Sequence, residues 1–246
     1  MSIKSVLKGA GLAAALAAGT AVMAANAPSD KVRELAAPLV APWTGPFGGV
    51  PPFDKVKVDM LGPALEVGMA ANLAEIDKIA ANPAAPTFDN TIAQLERSGR
   101  ALSRAATVYN VYSSTMNDDA VQAVEREMEP KLAAFFDQIT QNEALFKRIQ
   151  KIYAERDTAG LTPEQKRLVW WYHNQFVRAG AKLDADKKKR LAEINQELAS
   201  LYTTFGQNVL KDEGEQMVLL GTEADLAGLT PSIREAMALA AESRGK

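Results

Sequence analysis

Cysteine is absent from the 246 residues, and histidine occurs once, at His173. The first absence excludes disulfides, thiolate nucleophiles and thiolate metal sites. The second excludes the usual zinc-peptidase arrangement of two histidines one helical turn apart with a glutamate beside them, and leaves a single imidazole to activate any serine. An excess of one charge is also missing: 28 basic and 30 acidic residues give a net charge of −2. Nucleic-acid binding, which needs a basic face, is therefore not expected. Gly48 and Gly49 lack the spacing of a phosphate-binding loop.

What is present begins with an export signal. Lys4 and Lys8 precede an Ala/Gly/Leu-rich apolar run from Ala10 to Ala25, and Ala25 and Ala27 flank Asn26 at cleavage spacing. Residues 1 to 27 are expected to be removed, the mature chain starting between Ala25 and Pro28 and working in a bacterial periplasm. The run is short and poor in Leu and Ile, so a membrane anchor is not expected after cleavage. Residues 28 to 57 are proline- and glycine-rich and predict an extended strap, laid on the helices by Trp43, Phe47 and Phe53.

From residue 58 to 246 the apolar spacing is helical, and the fold class is all-α. Leu65, Met69, Leu73, Ile76 and Ile79 mark a helix from Pro63 to Ala81. Asp89 or Asn90 is expected to cap a helix reaching about Thr115. A third helix follows Asn117 and Asp118 and is expected to kink at Pro130. Asn142 caps a fourth, and Thr162, Pro163 and Gln165 start a fifth with a capping-box pattern. Leu168, Val169, Trp170, Trp171, Tyr172, Phe176 and Val177 make that helix apolar nearly all round, which predicts that it lies between neighbours. Gly180 stops it. A long helix from near Asp184 carries one apolar stripe, Leu191, Ile194, Leu198, Leu201, Tyr202, Phe205 and Val209, which requires a large partner surface. Gln216 to Leu220, QMVLL, reads as a short strand without a partner. Thr230 and Pro231 open a last helix, and the sequence stops at Lys246 as though cut short.

None of these elements nominates an active site, and no catalytic, cofactor-binding or metal-binding residue is assigned. His173, beside Trp170 and Trp171, reads as a satisfied interior histidine rather than a ligand or base. Glu125, Glu127 and Glu129 on one helix, and Asp212, Glu213 and Glu215 in a turn, read as solvated charge rather than acid–base pairs. Lys187 to Arg190 reads as a solvated helix face.

The order of the landmarks adds a resemblance. APWTGPFGGVPPFDKVK, NPAAPTFDNTIAQLERSGRAL, YNVYSSTM, AVEREMEPKLAAFFDQI, LTPEQKRLVWWYHNQFVRAGAKL, KKRLAEINQELASLYTTFGQNVL and EADLAGL together resemble the amino-terminal portion of the thimet oligopeptidase family, closest to its peptidyl-dipeptidase Dcp branch, over residues 37 to 246. The resemblance implies an almost wholly helical zinc metallopeptidase whose two lobes flank a channel for short peptides. This chain would supply the amino-terminal lobe, a wall of that channel. The family's His-Glu-x-x-His helix and later glutamate match no position here, so the resemblance implies that zinc would be bound by residues outside this chain, in a complementary carboxy-terminal catalytic part, and that this part would be inactive alone. Two other readings stand beside it: a non-catalytic helical peptide-binding module, and a helical scaffold unrelated to peptidases.

Overall fold

The structure, a computed structural model, describes residues 28 to 245, so the expected export signal at residues 1 to 27 lies outside the described residues. These residues form helices α1 (Asp30–Val40), α2 (Leu61–Ala80), α3 (Ala93–Arg97), α4 (Arg100–Thr115), α5 (Asp119–Thr140), α6 (Glu143–Glu155), α7 (Pro163–Arg178), α8 (Ala185–Glu215) and α9 (Pro231–Glu242). No strand is present among them, which bears out the all-α class. The chain divides into two compact units, the boundary falling between Thr203 and Thr204.

The first unit holds two apolar clusters. One joins Ala36 and Leu39 of α1, Leu61, Leu65 and Met69 of α2, Leu102, Val108 and Tyr112 of α4, and Met128 and Phe135 of α5. The other joins Ile76 and Ile79 at the end of α2 to Ile92, Leu95, Leu145, Ile149, Val169 and Phe176. Helix α2 thus runs through both, and Gly68 explains how closely α4 crosses it. A Cβ on Gly68 would lie 2.7 Å from the Leu102 Cα.

Local signals set most helix starts. Thr162 Oγ1 accepts the Gln165 N–H while Gln165 Oε1 accepts that of Thr162, which completes the expected capping box. Asn142, Asp118 and Thr230 cap α6, α5 and α9 through one bond each, the side-chain oxygen accepting the N–H of Leu145, Val121 and Ile233. Gly180 follows α7 with φ +88°, the left-handed conformation that ends helices.

Several expectations are corrected. The strap is helical over its first part, where Ser29 caps α1. Its later part turns tightly at Gly45, Phe47 and Gly49, all with positive φ, and Thr44 pairs with Val50 in one antiparallel bridge. Phe47 is fully exposed and Phe53 is 46% exposed, so neither anchors the strap; of the three aromatics only Trp43 is half-buried. Helix α2 starts at Leu61, following a 3₁₀ turn over Val58–Met60. Neither Asp89 nor Asn90 is the cap after the Pro-rich turn. Thr87 is, with Asn90 as its reciprocal partner, and a π-helical turn over Phe88–Ile92 leads into α3. The expected helix to Thr115 breaks at Ser98 and at Gly99, which has φ +73°. QMVLL is not a strand, because the ladder hydrogen bonds that define one need a second segment, and none among the described residues pairs with it.

Candidate functional site

His173 comes from the inner face of α7 and is buried. Its ring lies 3.8 Å from that of Tyr153 and within 6° of parallel, with Phe146 at 5.8 Å on a second contact. Burial, then the cations Lys182 and Arg156, hold its pKa below the ordinary histidine value, which keeps the imidazole neutral. The interior placement is as expected, but the ring is incompletely satisfied, since the buried Nδ1 has no hydrogen-bond partner. Among the described residues, no group of three or more His, Cys, Asp or Glu side chains could hold a metal ion. The described residues therefore do not fit a zinc centre.

The first acidic trio is distributed among separate structural contacts. Glu129 Oε1 accepts the Tyr109 hydroxyl at 2.7 Å, Glu125 Oε1 accepts Asn117 Nδ2 at 3.2 Å, and Glu127 pairs with Lys131 at 2.8 Å. Burial and then the Glu129 hydrogen bond push the Tyr109 hydroxyl well above the ordinary phenol value, so it acts as a fixed donor. Asp212, Glu213 and Glu215 sit on the last turn of α8 rather than in a turn between elements, and Glu215 lies 3.8 Å from Lys211.

The basic run is also less uniform than its sequence suggests. Lys187 pairs with Asp184 at 2.7 Å and Arg190 with Glu193 at 3.1 Å on the exposed side. Lys188 turns inward instead: it is 8% exposed, and its Nζ reaches Glu143 Oε1 at 3.3 Å and the Gln141 carbonyl at 3.4 Å. Together with Asn195, which donates to Asp137 Oδ1 at 2.8 Å, it holds the start of α8 on α5 and α6.

Two surfaces remain as functional candidates in the first unit. The first lies on the outer side of α7, where Trp170 and Trp171 are 39% and 43% exposed, contrary to the expectation that this helix is enclosed. The Arg167 guanidinium lies 4.1 Å above the Trp170 ring, and Tyr172 meets Trp171 edge-on and donates to Glu96 Oε1 at 2.6 Å. Glu96, Glu164, Arg167, Leu168 and Trp171 line an open hollow beside it. Flat aromatic area, fixed carboxylates and a guanidinium suit contact with a polypeptide.

The second surface is the α8 stripe. Leu191 and Ile194 are half-buried, but Leu198, Leu201 and Tyr202 are exposed, the last two by 58% and 71%. Sequence reasoning found this stripe by its spacing and demanded a partner for it. Within the first unit, no described element covers these three side chains. Arg148, buried on α6 with hydrogen bonds to Asn82, Ala84, Asn90 and Thr91, escaped sequence reasoning, because nothing in its local pattern marks an inward-facing arginine.

No protein-family model matches the chain. Sequence comparison gives the dipeptidyl carboxypeptidase of Salmonella typhimurium, 35% identical over 195 residues, which is 79% of this chain and 29% of that protein. The dipeptidyl carboxypeptidase of Escherichia coli is 35% identical over 193 residues, 78% of this chain and 28% of that protein. Oligopeptidase A of Escherichia coli is 25% identical over 207 residues, 84% of this chain and 30% of that protein. The chain thus spans less than a third of the length of the curated relatives it matches. Its homologues are dipeptidyl carboxypeptidase and oligopeptidase A of the thimet oligopeptidase family, matched through their amino-terminal part.

Proposed function

We propose that this chain is the amino-terminal helical lobe of an exported zinc metallopeptidase, a peptidyl-dipeptidase or oligopeptidase that hydrolyses short peptides. The observation that carries the reading is the 35% identity over 195 residues to a dipeptidyl carboxypeptidase. In this reading the lobe forms a wall of the substrate channel, and the zinc ligands and the general base come from polypeptide outside this chain. The exposed aromatic shelf around Trp170 and Trp171 and the stripe at Leu198, Leu201 and Tyr202 support it as surfaces built to meet other polypeptide. Lys4, Lys8 and the apolar run to Ala25 support export. No helix of the described residues is long and apolar enough to cross a membrane.

The test is a chimera in which residues 37 to 246 replace the matched part of the Escherichia coli dipeptidyl carboxypeptidase. The expected result is zinc-dependent release of dipeptides by the chimera and none by the 246-residue chain alone. A soluble, folded chimera without activity would overturn the reading, as would metal-dependent dipeptide release by the chain alone. Export is tested by fusing residues 1 to 28 to a reporter, with periplasmic reporter cut between Ala25 and Pro28 as the expected product.

The exposed Trp170–Arg167 pair favours a second reading, a helical peptide-binding module without catalysis. Peptide binding by the chain alone, abolished by Trp171→Ala, would favour that module.

A further inference from the structure

The second unit, Thr204–Lys246, is ordered locally but has no interior. Thr230 caps α9, and Arg234 ties the preceding loop together through Glu223 Oε2 at 2.8 Å and the Leu226 carbonyl at 2.7 Å. Yet none of its described residues is buried. Phe205 is 68% exposed, Val218 85%, Leu219 63% and Leu239 60%. A 12-residue helix is marginal in water without packing, and a unit of this size that buries no large apolar side chain cannot offset the entropy of ordering its backbone.

The backbone of Met217 to Leu220 adds a second observation. These four residues make no hydrogen bond to other backbone, although they are apolar and carry β-favouring Val218. These residues and Met237, Ala238 and Ala241 of α9 line one groove. A row of free N–H and C=O groups beside an apolar groove is the geometry that accepts an added strand, the backbone supplying hydrogen bonds and the groove taking alternate side chains.

We infer that residues 204 to 245 are one half of a core, that the other half is peptidase polypeptide outside this chain, and that Met217 to Leu220 is where a strand of that polypeptide pairs. The inference rests on the reading of the chain as part of a longer peptidase. The relatives supply the occupant's size: about seven-tenths of each lies outside the matched part, ample polypeptide to contribute both a strand and an apolar face. The occupant's chemistry follows from the groove, which asks for an extended, largely apolar segment.

Amide hydrogen exchange tests this on the 246-residue chain and on the chimera described above. In the chain alone, α9 and residues 217 to 220 are expected to exchange with less than about tenfold slowing, while α2 is strongly protected. In the chimera the same amides are expected to slow by at least about 100-fold, and Val218→Pro, which removes one N–H, is expected to reverse most of that gain without touching α2. Strong protection of α9 in the monomeric chain overturns the inference. So does protection that rises with concentration together with a doubled mass, which makes a second copy the occupant, and so does a soluble chimera with unslowed exchange. An insoluble chimera leaves the decision to the chain-alone measurement. Dipeptide release is read separately: a protected but inactive chimera removes the catalytic reading and leaves this one standing.

Discussion

Arg148 Nη1 donates to the carbonyl oxygen of Asn82 at 2.7 Å, binding the middle of α6 to the turn that follows α2. The same guanidinium donates to the Ala84 carbonyl, to Asn90 Oδ1 and, through Nε, to Thr91 Oγ1. All four acceptors are neutral, and burial lowers the pKa of the guanidinium from its usual value. The arginine is therefore a fork that fixes the Pro-rich turn and the entry to the π-helical turn. Arg148→Ala is expected to cost about 2–4 kcal/mol in urea unfolding, because several acceptors lose their donor together. Arg148→Lys is expected to recover less than half of the loss, since an ammonium cannot span the planar fork. A loss below about 0.5 kcal/mol for the alanine variant would show that water replaces the fork without penalty.

The neutral state of His173 sets a pH dependence. Its folded pKa is lowered by burial, Lys182 and Arg156, so the unfolded chain binds the proton more readily. The contribution is fully present above the unfolded-state value of about 6.5 and is lost as pH falls through the lower folded value. Urea midpoints measured from pH 8 down to pH 5 are expected to fall less steeply for His173→Phe, which keeps the stack on Tyr153 without a titrating group. Parallel curves for the two proteins would refute this assignment.

Gly68 predicts a different kind of loss. A methyl group there would lie 2.7 Å from the Leu102 Cα and 3.0 Å from its backbone nitrogen, atoms that cannot rotate away. Gly68→Ala should raise intrinsic helix propensity yet destabilise the first unit by about 1–3 kcal/mol, overpacking outweighing propensity. A stabilised variant would mean that α2 and α4 separate freely.

The uncovered stripe makes the opposite prediction. Leu201 and Tyr202 are 58% and 71% exposed, so Leu201→Ser with Tyr202→Ser is expected to change the stability of the chain by no more than about 0.5 kcal/mol for each substitution. Light scattering at high concentration should fall in the double variant, because an exposed apolar stripe promotes association. A joint loss above about 2 kcal/mol would show that these side chains are buried in solution.

These cases also show which features the sequence expressed. The capping pair Thr162 and Gln165 and the stop at Gly180 were legible because their causes are confined to a few neighbouring residues. The break at Ser98 and Gly99 was not, since apolar positions continue on both sides of it at helical spacing. Trp170 and Trp171 misled for another reason: hydrophobicity records what a side chain favours, whereas burial depends on which surfaces are present. QMVLL repeats the lesson for strands, as its β preference is expressed only when a second segment supplies the hydrogen bonds. For the candidate site, the stripe on α8 was visible as a period, while the inward turn of Lys188 and the Arg148 fork required the fold.

The start of α1 carries a consequence for timing. Ser29 Oγ accepts the Val32 N–H at 3.4 Å, and Arg33 Nε donates to the Pro28 carbonyl at 3.0 Å, so helical order begins immediately after the expected cleavage region. Proteases bind their substrates as extended chain, with several residues on each side of the cut. Under the export reading, α1 must therefore still be unwound when the leader is removed. If residues 1 to 27 are removed as expected, processing would precede the ordering of α1, and a chain that formed α1 early would be a poor substrate for its own maturation.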